Sequence, residues 1–110
     1  MKLVWVSRHE LTPQNHQILK QAFGDDYEVI QFKETVKDVR ELKRFADDVG
    51  GDGYVVVLPP HLIMELMKID QRPVYRFVVE RKVLESGDVE IKPIGLEQIL
   101  EVKVVTKRIV

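Results

Sequence analysis

Four consecutive polar residues, Ser7-Arg8-His9-Glu10, follow an apolar run and stand just before a helix-start signal. Arginine presents a planar set of N–H donors that suits phosphate and carboxylate groups. Histidine gains and loses a proton near neutral pH, and a serine hydroxyl both donates and accepts hydrogen bonds. These residue types indicate an anion-binding turn, to which the histidine would add acid–base chemistry if a reaction follows.

The elements around this tetrapeptide decide where it lies. Residues 2–7 form a short, nearly continuous apolar run, which is typical of a strand buried on both faces. Thr12-Pro13 then predicts a helix start, with threonine as the N-cap and proline at the first helical position. The helix is expected to end at Gly24.

The middle of the chain repeats this pattern of strand and helix. Residues 27–32 alternate and predict an edge or half-covered strand, whereas residues 53–58 are uniformly apolar and predict a buried one. Thr35 and Asp38 have the spacing of a capping box before a helix that stops at Gly50-Gly51. Pro59-Pro60 is expected to begin a third helix, which ends before Pro73 because a residue preceding proline avoids helical dihedrals.

The last third of the chain predicts strands that fold back on one another. Residues 74–83 form a fourth strand, residues 85–88 a turn and residues 89–92 a returning strand. Pro93-Ile94-Gly95 interrupts the pattern, and residues 96–99 are expected to make one helical turn. Residues 100–106 alternate and predict a final strand.

This order of elements predicts a single α/β domain over residues 1–110. We expect a three-layer, Rossmann-like or flavodoxin-like domain whose central parallel sheet has the strand order 2-1-3-4, with antiparallel C-terminal strands. The first and third strands are the most apolar and should lie inside the sheet. A ferredoxin-like two-layer arrangement is the alternative.

Open parallel sheets bind ligands at the carboxyl ends of their strands, where the strand order reverses. In the order 2-1-3-4 that point lies between the first and third strands, and helix N-termini at the same edge favour an anion. We therefore predict a site for a small anionic ligand, a phosphate or a nucleotide. The candidate ligand-binding residues are Ser7, Arg8, His9, Lys33, Thr35, His61 and Arg81.

Each of these side chains also has an ordinary structural explanation. Strands of α/β proteins end in polar residues because the backbone there meets water or a cap. Ser7 and Thr35 would then serve only as caps, and Arg8 would pair with Glu10 or Glu34. His16 falls on the glutamine-rich side of the first helix, which predicts a surface position.

The stretch V-S-R-H-E-L-T resembles, over Arg8–Thr12, the R-H-G-x-T motif of the histidine phosphatases. The resemblance implies that Arg8 clamps a phosphate and that His9 is the nucleophile. Glu10 stands where that family has glycine and would place a negative charge beside the phosphate, and no second Arg-His pair follows. We do not assign the chain to the family. A small phosphoryl-transfer enzyme or phosphodiester hydrolase with His9 and His61 as catalytic residues is an alternative function.

Other chemistries fit the residues less well. The chain has no cysteine, which excludes disulfides, thiol catalysis and cysteine-based metal sites. It also lacks a G-x-G-x-x-G stretch after the first strand and a Walker A loop. His9, Glu10 and His61 could meet as metal ligands, with Glu65 one turn beyond, but there is no H-E-x-x-H motif. We predict no metal and no cofactor.

The net charge of −1 gives no reason to expect nucleic-acid binding. No apolar run suits a membrane span or a signal peptide, so a cytoplasmic protein is expected. The competing class is a non-catalytic interaction module. In that interpretation the predicted C-terminal strand at residues 100–106, followed by Ile109-Val110, pairs with its twin in a homodimer.

Overall fold

A computed structural model describes residues 1–103 and 106–110 of the chain. The elements in chain order are β1 (Lys2–Val6), α1 (Pro13–Phe23), β2 (Glu28–Phe32), α2 (Val39–Val49), β3 (Gly53–Val56), α3 (Pro60–Ile69), β4 (Val74–Val83) and β5 (Val89–Gln98). They form an α/β fold, as predicted. Within the described residues, no helix has both the length and the apolarity that a membrane crossing requires.

The five strands form one mixed sheet with the order β2-β1-β3-β4-β5. The first four strands are parallel to one another, and β5 runs antiparallel to β4. The two most apolar strands, β1 and β3, lie inside the sheet as the sequence predicts. The strand order reverses between β1 and β3. In open α/β sheets, ligands bind at such a point, beside the carboxyl ends of the two strands.

Helices cover both faces of the sheet. On one face, Leu19 of α1 packs with Leu3, Trp5 and Val55. On the other face, α2 and α3 contribute Leu42, Ala46, Ile63 and Leu66, which pack with Val4, Val6, Tyr54 and Val56. Successive residues of a strand point to opposite faces, and both faces are covered, which explains why β1 is apolar from Leu3 to Val6.

Local capping signals set where the first two helices begin. The Thr12 hydroxyl accepts a hydrogen bond from the Asn15 N–H at 3.2 Å, and Asn15 accepts one from the Thr12 N–H at 3.0 Å. The capping box expected at Thr35 is wrong: α2 is capped by Asp38, which accepts from the Arg40 N–H at 2.9 Å. Asp38 is a strong cap and lies immediately before the first helical residue. The Thr35 hydroxyl is therefore free for another contact.

The predicted break after residue 92 is wrong. One strand, β5, continues through Gln98, and the extra residue Ile94 forms a bulge, since Val78 pairs with Gly95 and Val79 pairs with Pro93. A bulge lets a ladder pass a proline and a glycine without ending. The helical turn expected at residues 96–99 is therefore also wrong.

The final strand expected at residues 100–106 is not found in the described part of that range. Residues 100–103 and 106 have no strand structure, and residues 104 and 105 lie outside the described residues. Ile99 and Val102 instead pack against the core on the side of α2 and α3. The Ile99 N–H still donates to the Val74 carbonyl at 2.8 Å, and residues 100–103 then cross the core surface outside the strand ladder.

A polar network closes the amino end of the sheet, opposite the point where the order reverses. The Tyr54 hydroxyl donates to Asp70 at 2.5 Å, and Arg72 donates to Asp70 at 2.8 Å and to Asp47 at 2.7 Å. Burial acts to raise the pKa of Asp70, but the hydrogen bonds from Tyr54 and Arg72 outweigh it and hold that pKa below its ordinary value. The network joins α2, β3 and the end of α3.

Candidate functional site

The tetrapeptide Ser7-Arg8-His9-Glu10 lies at the carboxyl end of β1, and its backbone is held from below. The Trp5 indole N–H donates to the His9 carbonyl at 2.7 Å. The Gln31 amide donates to the carbonyl of Ser7 at 2.9 Å and to that of His9 at 3.0 Å. The His9 N–H in turn donates to the Ser7 hydroxyl at 3.1 Å. These bonds fix the turn and leave the side chains of Arg8, His9 and Glu10 exposed.

The two anchoring residues, Trp5 and Gln31, were missed by the sequence analysis. They are paired in the register of β1 and β2, so both side chains lie on the same face of the sheet. One signal was available: Gln31 is a polar residue between the apolar Ile30 and Phe32. An amide in that position needs acceptors, and the turn supplies two carbonyl groups.

A cavity of about 410 Å³ opens between the carboxyl ends of β1 and β3, on the face of the sheet covered by α2 and α3. We call it the switch-point groove. Its polar lining consists of Ser7, Arg8, His9, Glu34 and Thr35. Its apolar lining includes Val6, Val36, Leu58 and Leu62. Four of the seven candidate ligand-binding residues therefore line one groove.

Arg8 and Thr35 contact each other within this groove. An Arg8 Nη2 N–H donates to the Thr35 hydroxyl, which links the turn after β1 to the loop after β2. Neither of the carboxylates considered as partners from the sequence, Glu10 or Glu34, forms an ion pair with Arg8 in the described part of the chain. Arg8 therefore brings to the groove a positive charge that forms no ion pair within the described residues, although Glu34 lines the same groove.

A second cavity, of about 480 Å³, lies on the other face of the sheet beside α1. We call it the α1-side pocket. Ser7 and His9 line both cavities, so the tetrapeptide separates them. The apolar lining of the α1-side pocket includes Trp5, Phe77, Val79, Ile91 and Pro93. The aromatic and aliphatic side chains in its lining make this pocket less suited to a phosphate group than the switch-point groove.

The other three candidate residues line neither cavity. Lys33 is exposed after β2, and His61 is exposed in the first turn of α3. Arg81 lies on the hairpin of β4 and β5, whereas β4 pairs with β3 only at Val74 and Tyr75. At about 3.3 Å per residue, Arg81 is about 20 Å beyond Tyr75 along the strand.

His16 is exposed on α1, as predicted, and its Nδ1 lies 2.8 Å from the Tyr27 hydroxyl. Among the described residues, no group of three histidine, aspartate or glutamate side chains has the geometry of a metal site. The set of His9, Glu10, His61 and Glu65 is included in this statement.

No protein-family model, characterised protein or solved structure matches the chain. The fold and the site alone therefore define its class: an α/β protein with an anchored polar turn at the carboxyl edge of its sheet and a cavity on either side of that turn.

The anchoring of the turn leads to a first prediction. Replacing Gln31 with leucine removes the donor to two carbonyl groups, so we expect a loss of about 1–2 kcal/mol in the free energy of unfolding. We also expect faster amide hydrogen exchange at His9. The matched control is Gln21→Leu, at an exposed position on α1. Equal exchange rates at His9 in the wild type and Gln31→Leu would show that Gln31 does not hold the turn.

Proposed function

We propose that this chain binds a small anionic ligand, a phosphate or a nucleotide, in the switch-point groove. The proposal rests on Arg8, which lines the groove and contacts the Thr35 hydroxyl. Arg8 forms no ion pair with a carboxylate in the described part of the chain. Arginine binds phosphate oxygens through two parallel N–H donors. Thr35 orients the guanidinium without neutralising it.

The surroundings of Arg8 support an anion in two further ways. The first turn of α3 contributes Pro59 and Leu62 to the groove, and the N-terminus of a helix has a partial positive charge. Pro59 provides no side-chain cap, and Pro60 has no N–H. The Leu62 N–H donates to the Pro59 carbonyl at 3.0 Å, so the His61 N–H is the first-turn donor that an anion could use. The turn is also fixed by Trp5 and Gln31, so little conformational freedom is lost on binding.

Glu34 favours a nucleotide over a bare phosphate ion. Its carboxylate lines the same groove and would repel a small anion that fills it. A carboxylate accepts hydrogen bonds from sugar hydroxyl groups, as the acidic residue of dinucleotide-binding sites does. The volume of about 410 Å³ lies within the range of about 300–1,000 Å³ that is usual for small-molecule sites.

The same proposal includes the finer description of the fold. The order β2-β1-β3-β4 and the helices on both faces support a three-layer domain of the Rossmann-like or flavodoxin-like kind. Catalysis is not part of the proposal. His9 lines the groove but His61 does not, so no shared cavity favours a hydrolase that uses both histidines.

A screen of melting temperature tests the proposal. The wild-type protein is heated with inorganic phosphate, nucleoside mono- and diphosphates, dinucleotides and cyclic nucleotides, and with the matching nucleosides as controls. A ligand at ~100 times its dissociation constant stabilises the protein by about 2.7 kcal/mol, which is several degrees for a domain of this size. We expect a shift with a phosphorylated compound and none with its nucleoside. No shift with any phosphorylated compound would contradict the proposal.

A further inference from the structure

The hairpin of β4 and β5 extends beyond the rest of the sheet and has two different faces. One face carries charges of alternating sign: Lys82 lies opposite Glu90, and Glu80 lies opposite Lys92. The other face exposes Val79, Val83, Val89 and Ile91, whose exposed fractions range from 51% to 72%, with Arg81 among them. In the described sheet, β5 pairs only with β4 and is an edge strand.

The turn of the hairpin shows which backbone groups of β5 point toward this edge. The Leu84 N–H donates to the Asp88 carbonyl at 2.8 Å, so Leu84 and Asp88 occupy a hydrogen-bonded position of the ladder. Hydrogen-bonded and non-hydrogen-bonded pairs alternate in an antiparallel ladder. Ile91, three residues further along β5, is therefore in a non-hydrogen-bonded pair with Arg81. Its N–H and C=O point away from β4, toward the free edge.

We propose that this edge pairs with a second copy of the chain, antiparallel and across a two-fold axis at Ile91. In this register Ile91 exchanges two backbone hydrogen bonds with the partner's Ile91. Glu90 lies opposite the partner's Lys92, and Lys92 lies opposite the partner's Glu90. Opposite charges on directly facing residues stabilise a strand pair. The interface thus uses β5 in place of the C-terminal strand expected from the sequence at residues 100–106.

The residues of β5 disfavour the neighbouring two-fold registers. An axis at Glu90 or at Lys92 would set that residue against its own copy, with like charges directly opposite. An axis at Val89 would set Glu90 against the partner's Asp88, which places like charges together.

An axis at Pro93 would set two prolines face to face, and proline has no N–H to donate. In the Ile91 register each Pro93 instead faces the partner's Val89, whose N–H can donate to the proline carbonyl. The bulge at Ile94 also ends regular pairing on that side. The charges and the proline therefore favour a two-fold dimer of β5 strands over an assembly that continues to add chains.

This inference does not depend on the proposed anion site, and sedimentation velocity of the 110-residue chain over a range of protein concentrations tests it. We expect a reversible dimer for the wild type. The hydrogen bonds of the hairpin do not use the Ile91 N–H, which faces the edge, so we expect Ile91→Pro to be a monomer that keeps the hairpin ladder. Ile91→Val keeps the N–H and should still form the dimer. A wild type that stays monomeric throughout, or an Ile91→Pro variant that is folded and still dimeric, would overturn the proposal.

A charge exchange tests the register even if Ile91→Pro fails to fold. A variant with Glu80→Lys, Lys82→Glu, Glu90→Lys and Lys92→Glu keeps opposite charges within the hairpin and within its own dimer. Against a wild-type chain it places like charges at both facing positions. We expect each chain to form its own dimer and the mixed dimer to be several-fold depleted from its statistical share in native mass spectra. Statistical mixing would overturn the register.

Discussion

Replacing Asp70 with alanine is expected to destabilise the domain by about 3 kcal/mol, because it removes the nearly buried acceptor of both Tyr54 and Arg72. It leaves Arg72 only its more exposed contact with Asp47 within the network. The side chain of Asp70 is only 6% exposed and that of Arg72 is 22% exposed. Tyr54 loses the acceptor of its hydroxyl at the same time. For a domain of this size the change corresponds to a fall of more than about 10 °C in the melting temperature.

Urea denaturation of the wild type and Asp70→Ala measures this effect, and Asp48→Ala is the matched control. Asp48 is exposed on α2 and has no hydrogen-bond partner in the described part of the chain, so we expect a change within about 0.5 kcal/mol. A loss below about 1 kcal/mol for Asp70→Ala would show that the network adds little to stability.

The acid side of the stability curve gives an independent check on the same residue. A lowered pKa in the folded state means that the stabilisation by Asp70 is present above the ordinary aspartate pKa of about 3.9. It is lost as the pH falls through the lowered folded value. The wild type should therefore lose stability toward acid more steeply than Asp70→Ala.

Replacing Arg8 with alanine is expected to abolish the stabilisation by the phosphorylated ligand that the melting screen identifies. Without ligand, the variant should melt close to the wild type, because Arg8 is exposed and its contact with Thr35 is at the surface. With ligand at ~100 times its dissociation constant, the wild type gains about 2.7 kcal/mol and the variant gains little. Arg8→Lys should retain part of the effect, since lysine keeps the charge but not the planar pair of donors.

Arg81→Ala is the matched control for Arg8→Ala. Both arginines are exposed, but Arg81 lies on the hairpin and outside the switch-point groove. We expect Arg81→Ala to respond to the ligand as the wild type does. If Arg8→Ala kept the full response while Arg81→Ala lost it, the ligand would bind elsewhere on the molecule.

Local signals in the sequence predicted most elements of the fold. Thr12 and Pro13 mark the start of α1, and the uniform apolar runs of β1 and β3 predict strands covered on both faces, because each signal acts within a few residues. Pro93 led to a wrong prediction because it, too, was interpreted from its local sequence alone. Proline breaks most strands, and only the pairing with β4 shows that a bulge accommodates the residues around it.

The candidate site was predicted in part. Ser7, Arg8, His9 and Thr35 line one groove because they follow neighbouring parallel strands, which the order of elements predicts. Arg81 was placed with them because the sequence does not show how far β4 extends past β3. The anchoring of the turn by Gln31 and the network of Asp47, Asp70 and Arg72 both depend on contacts between distant segments. Such contacts cannot be predicted from the composition of the chain or from the spacing of its residues.

The most direct test of the anion site is an NMR titration of the wild-type chain with the phosphorylated ligand, followed at each backbone amide. We predict saturable shifts at Arg8, His9, Glu34 and Thr35 and in the first turn of α3. The amides near Asp70, at the opposite end of the sheet, should not move. Saturable shifts confined to the α1-side pocket or the hairpin, or no saturable shifts at all, would contradict a binding site in the switch-point groove.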